Sequence, residues 1–124
     1  MSIDLGSLRK HCLRKGGKIS EEFPFDEYTL VFKVKGKIFI LISTDAHPLS
    51  VNLKCDPERA IELRERYIAV VPGYHMNKKH WITVSLDGTV SSREVFEMID
   101  HSYDLVAKTA ASGGRKRPYK KKSR

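Results

Sequence analysis

Between Tyr28 and Val34 the chain switches to a period of two. Tyr28, Leu30, Phe32 and Val34 fall on one side of an extended backbone, while Thr29, Val31, Lys33 and Lys35 fall on the other. Gly36 lets the chain reverse, and Lys37 to Ser43 returns as a second strand, which makes a hairpin with Lys33, Lys35 and Lys37 near its tip. Leu49, Val51, Leu53 and Cys55 then alternate with Ser50, Asn52 and Lys54. Strands apolar on one face only require an antiparallel sheet covered on one side.

The covering layer is legible on either side of these strands. Leu5, Leu8, Cys12 and Leu13 recur at helical spacing before Gly16 and Gly17, so a first helix reaches about Lys15. Asp56 and Pro57 form an N-cap and first-turn pair opening a second helix, whose inward residues are expected to be Ala60, Ile61, the stem of Arg64 and Tyr67. Val70 and Val71 come next, and Trp81 to Leu86 is a further strand with Ile82, Val84 and Leu86 on one side. Asp87 and Gly88 end that strand. Ser91 and Glu94 have capping-box spacing, and Val95, Ile99, Ser102 or Tyr103, and Val106 continue a helical stripe.

The order helix, strands, helix, strand or strands, helix is that of an α+β two-layer sandwich, a small antiparallel sheet with helices on one face. The uncovered face is expected to carry Lys33, Lys35, Ser50, Asn52, Lys54, Trp81, Thr83 and Ser85. Short polar groups, amines and one large ring suit a polar or anionic partner.

Charge is unevenly spread. Residues 115–124 hold seven of the 23 Lys and Arg (Arg115, Lys116, Arg117, Lys120, Lys121, Lys122 and Arg124) and none of the 15 acids, so the rest of the chain carries 16 bases against 15 acids. The division is therefore a nearly neutral domain over residues 1–110 and a basic tail over 111–124, expected to be disordered in isolation. No apolar run approaches the roughly 20 residues needed to span a bilayer. The N-terminus lacks a charged-then-apolar signal pattern, so a cytoplasmic address is expected. Cys12 and Cys55 form no CxxC pair and read as small apolar residues.

The least ordinary stretch is PGYHMNKKHW, Pro72 to Trp81, with two histidines, two lysines and the single tryptophan. It contains no acid, serine or cysteine, so it offers no nucleophile and no carboxylate pair for acid–base work. His75 and His80 stand five apart with no carboxylate or thiol between, which matches neither a zinc-protease helix nor a zinc finger. No enzyme activity, metal or cofactor is expected. Lys78 and Lys79 suit phosphates, Asn77, His75 and His80 suit hydrogen bonds, and Tyr74 and Trp81 supply rings. The competing reading is structural: Pro72 and Gly73 turn the chain, the two rings pack, and the lysines are solvated.

PGYHMNKKHWITVSLDG, preceded by KVKGKIFILIS and LKCDPERAIELRE and followed by MIDHSYDLV, resembles the MmcQ/YjbR family of small bacterial proteins over most of residues 3–107. The resemblance implies a two-layer, secretion-chaperone-like fold. It also implies a double-wing DNA-binding role, with the matching positions at Lys33, Lys35 and Lys37 and at Tyr74, His75, Asn77, Lys78, His80 and Trp81. Together these readings give a monomeric module that contacts duplex DNA nonspecifically or by shape, because no recognition helix presents a set of base-reading side chains. A protein or peptide partner docked on the open face or a sheet edge is the first alternative. A small-molecule site lined by His75, Asn77 and His80 is the second.

Overall fold

In the computed structural model, residues 3–16, 18–73 and 77–111 are described, residues 110 and 111 by their backbone alone. The first helix, α1 (Leu5–Leu13), starts where Asp4 and Ser7 cap each other. The Ser7 N–H donates to Asp4 Oδ1 at 2.8 Å and the Asp4 N–H to Ser7 Oγ at 3.2 Å. Next come β1 (Ile19–Glu22), β2 (Thr29–Val34), β3 (Lys37–Ser43), β4 (Ser50–Lys54), α2 (Pro57–Arg66), β5 (Val70–Pro72), β6 (Trp81–Ser85) and α3 (Ser92–Ala111). Among the described residues the strands form a single antiparallel sheet in the order β1-β2-β3-β4-β6-β5.

The α+β sandwich expected from the periodicity is the observed architecture. One sheet face carries Leu30, Phe32, Ile40, Ile42, Val51, Leu53, Ile82 and Val84, which join Leu8 and Cys12 of α1, Ala60 and Leu63 of α2, and Val95, Met98, Ile99 and Val106 of α3 in one core. Two details differ from the expectation. Strand β1 escaped notice because ISEE does not alternate apolar with polar; it pairs with β2 from Ile19↔Val34 to Glu22↔Val31. On α2 the inward residue is Leu63 rather than Ile61, which is 48% exposed, because Ala60, Leu63 and Tyr67 lie on one helical face and Ile61 does not.

The β2–β3 register shifts between Phe32 and Lys33, so Phe39 bulges and turns its ring inward against Tyr103, edge to face at 5.3 Å. Ser102, fully buried on α3, mends the ladder there. Its hydroxyl donates to the Phe39 carbonyl at 2.6 Å and accepts from the Lys54 N–H at 2.9 Å. Helix α1 is tied to α3 through Asp100, whose Oδ1 lies 2.7 Å from His11 Nε2 and 2.8 Å from Lys15 Nζ. Burial works to raise the Asp100 carboxyl, but hydrogen bonds from Lys15 and His11 outweigh it and hold it below the ordinary aspartate value.

Candidate nucleic-acid interface

The face away from the helices follows from the register. Across its middle run Glu22, Val31, Leu41, Asn52, Thr83 and Val71, each opposite the next on neighbouring strands. Thr83 donates its hydroxyl to Asn52 Oδ1 at 2.6 Å. Val31 and Leu41 are buried although they lie outside the helix-covered core, so the centre of this face is apolar with a polar surround. One step along the strands, Ser20 faces Lys33 and Lys54 faces Trp81.

Lys54 is half-buried and makes no ion pair among the described residues. Burial, then the repulsion of nearby Lys37, lowers the pKa of its ammonium below the ordinary lysine value. Trp81, also half-buried, is neither sealed under the helices nor standing free. Lys33 is the paired member of the group, with Nζ 3.1 Å from Glu22 Oε1.

The hairpin tip is tighter than alternation alone indicates. Val34 faces Lys37, so Lys35 and Gly36 are the two-residue loop, with φ of 52° and 83°. Positive φ at both positions is the type I′ geometry that matches strand twist and usually selects Asn-Gly. Lys35 therefore belongs to the turn, not to the sheet face where alternation placed it, and it occupies a conformation that lysine adopts at a cost.

Of the PGYHMNKKHW segment, Tyr74 and His75 lie outside the described residues, as do Arg115, Lys116, Arg117, Lys120, Lys121, Lys122 and Arg124. What is described is a tight turn feeding β6. The carbonyl of Asn77 accepts from the N–H groups of His80 and Trp81, and its side-chain Oδ1 accepts from the Lys79 N–H at 2.9 Å. Asn77, Lys78 and Lys79 are exposed and His80 is half-buried, its carbonyl accepting from the Cys55 N–H. Gly73 fits because its N–H reaches the Trp81 carbonyl at 2.8 Å, where a Cβ would fall 2.7 Å from Trp81 Cβ.

Reasoning from sequence missed how these pieces share one end of the sheet. Strands β2, β4 and β5 run toward the end holding the hairpin tip, and β1, β3 and β6 start from it. At that end lie Arg14, Lys15, Lys18, Lys35, Lys37, Lys54, Lys78 and Lys79. The strand connections at the other end, residues 23–28, 44–49 and 86–91, contain no Lys or Arg. Helix α3 reaches the basic end at Ser102 and continues nine residues to Ala111, about 13 Å further at the helical rise.

The YjbR family model matches residues 16–105. The chain belongs to the YjbR family. It is 39% identical to the uncharacterised protein YbdF of Escherichia coli O157:H7 over 95 residues, which is 77% of this chain and 78% of that one. To the family's eponym, the uncharacterised protein YjbR of Escherichia coli K12, it is 30% identical over 102 residues, 82% and 85% of the two chains. Solved structures share the fold. A Deinococcus radiodurans protein, DR2400, with a domain of the DUF419 type, superposes with a TM-score of 0.81 at 44% identity over 86% of this chain and 80% of that one. A Pseudomonas syringae protein at 24% identity shares the fold with a TM-score of 0.71, over 84% and 99%.

Among the described residues no cluster of His, Cys, Asp or Glu has the makings of a metal site, and no helix is long and apolar enough to cross a membrane. Both cysteines are buried, and burial pushes the thiol of Cys12 up to about 12 and that of Cys55 up to about 11. Neither is a thiolate at neutral pH.

Proposed function

We propose that this chain is a non-enzymatic DNA-binding module that grips the duplex backbone with the basic end of its sheet. Lys35 and Lys37 at the hairpin, Lys54 on the open face, and Lys78 and Lys79 in the turn before β6 supply phosphate contacts. Trp81 lies beside them, and the cations of residues 115–124 add long-range attraction from the end toward which α3 points. His75, Asn77, His80 and Tyr74 complete the contact in this reading. The observation that carries it is the segregation of charge, since a body of nearly zero net charge has its strand-connecting lysines gathered at one end.

Two local costs are consistent with that use. Lys54 is held in a partly desolvated place beside a like charge, and Lys35 sits where asparagine or glycine is favoured. A phosphate arriving between Lys54 and Lys37 would reverse the first cost. Binding is then accompanied by proton uptake, and affinity falls as pH rises through the lowered Lys54 value.

The test is titration of the full-length chain with duplex DNA, following the emission of Trp81, the single tryptophan. Expected are a change in emission on binding and a log affinity that falls linearly with log salt, with a slope reduced by about 0.9 for each contact removed, as in Lys37→Gln or Lys54→Gln. Binding that leaves the Trp81 emission unchanged, and whose salt slope ignores both substitutions while disappearing on deletion of residues 112–124, would overturn the reading. Capture of a protein partner that survives high salt would favour the adaptor alternative.

A further inference from the structure

The end of the sheet opposite the lysines carries a different surface. Phe23, Phe25 and Tyr28, all in the connection between β1 and β2, are 52%, 63% and 50% exposed. Local bonds fix the loop that presents them. Asp26 Oδ1 accepts from the N–H groups of Tyr28 and Thr29 at 2.9 and 2.7 Å, and the Tyr28 carbonyl accepts from the N–H and hydroxyl of Thr44 at 2.9 and 2.7 Å. The Thr44 contacts bring the connection between β3 and β4 alongside. The surround is therefore Asp26, Glu27 and Asp45, all exposed and without an ion pair among the described residues.

Three held-out rings edged with carboxylates are complementary to a cationic strand, through charge and through the faces of the rings. The same chain contains one: residues 115–124, with seven cations, no acid and Tyr119. Reach decides which copy supplies it. Ala107 of α3 still packs on the core, so only residues 108–111 extend past it, about 6 Å at the helical rise; the four-residue rise of β4 adds about 13 Å, so roughly 20 Å separate Ala111 from the rings. At about 3.3 Å per residue, Arg115 and Lys116 cannot cover that distance, and Arg117 only at full stretch. A second molecule can present all seven charges at once.

We propose that the Phe23–Phe25–Tyr28 surface receives the basic tail of a second copy of this chain, in a head-to-tail contact favoured at low salt. Because donor and acceptor lie at opposite ends, the contact is heterologous and does not close on a dimer. The assembly is then a weak, salt-sensitive chain of molecules, where the sequence reading expects a monomer. The contact stands independently of the DNA reading, and its test contains no DNA.

The experiment mixes two full-length preparations. One carries a nitroxide on Ser123→Cys, where labelling is selective because Cys12 and Cys55 are buried; the other is isotope-labelled and free of nitroxide. At about 0.1 M salt, amide signals of residues 23–28 and 44–46 in the isotope-labelled molecules are expected to lose intensity. At about 1 M, where screening shortens to roughly 3 Å, they should recover. Phe23→Ser with Phe25→Ser should abolish the loss when placed in the isotope-labelled molecules and leave it intact in the nitroxide-bearing ones. No loss at these residues, loss spread over the surface, or loss insensitive to the serine substitutions overturns the proposal. So does an isotope-labelled, nitroxide-bearing molecule diluted in excess unlabelled protein that still shows the loss, because the tail would then dock within its own chain.

Discussion

The two faces of the sheet are made from the same strands, and often from adjacent residues, yet physical chemistry treats them differently. Phe32 and Lys33 are neighbours. The first is fully buried under the helices, and the second reaches Glu22 across a face with no helix over it. On the covered face side chains are interchangeable only within volume, because they fill space at close packing. On the other face Lys54, Trp81, Asn52 and Thr83 meet looser steric demands, so their chemical type carries more information about use. A buried phenylalanine reports the fold; a half-desolvated lysine beside an indole, without an ion pair among the described residues, is the kind of group the proposed contact uses.

The contrast is broken or sharpened most directly by truncating a large ring on each face. Phe32→Ala should cost about 3–5 kcal/mol in denaturant unfolding. Trp81→Ala should cost much less and weaken binding to duplex DNA, followed by the fluorescence anisotropy of a dye-labelled duplex because the variant has no tryptophan. If the two are equally destabilising, the open face is a second core and the comparison fails.

Ser102→Ala tests the mend between the layers. It leaves the Phe39 carbonyl and the Lys54 N–H without their shared partner, so a loss of about 1–3 kcal/mol is expected, measured by the same unfolding transition. The smaller Lys35→Asn change should run the opposite way. Asparagine accepts the positive φ of the turn more readily, so stability should rise by about 0.5–1 kcal/mol while affinity for duplex DNA falls. A stabilised variant with undiminished affinity would remove Lys35 from the contact.

The smallest effect concerns pH. His101 Nε2 accepts from the Asp56 N–H at 3.2 Å, and burial, then the charge of Arg59, lowers its pKa below the ordinary histidine value. A folded-state value below the unfolded one means that the unfolded chain takes up the proton first. Stability should be full above about 6.5 and decline as pH falls from there toward the lowered value. His101→Gln, which keeps an acceptor for Asp56, should flatten that part of the stability profile.

Much of this was readable from residues alone, wherever the signal is a period or a cap. The alternation of β2 and β4, the stripe of α3 and the Asp56–Pro57 start of α2 need only the geometry of one element. Strand β1 was not readable, since Glu21 faces the helices and survives there by accepting hydrogen bonds from the guanidinium of Arg9, 12 residues away. Nor was the bulge at Phe39, which depends on the partner strand. For the candidate site, the lysines of the hairpin and of the 72–81 segment stood out by type. That Lys54 and Trp81 are cross-strand neighbours did not, because register between β4 and β6 spans an intervening helix.

Sequence by itself determined the layers, the near-neutral body and the cationic extension, because period and composition are properties of the chain. The family assignment rests on the same foundation. Only the tertiary structure decided that the strand-connecting lysines share one end of the sheet while exposed rings and carboxylates occupy the other. That polarity comes from the antiparallel order of six strands, which sorts loops from distant parts of the chain to one end or the other. Local pattern specifies each strand, and pairing between strands decides which loops become neighbours.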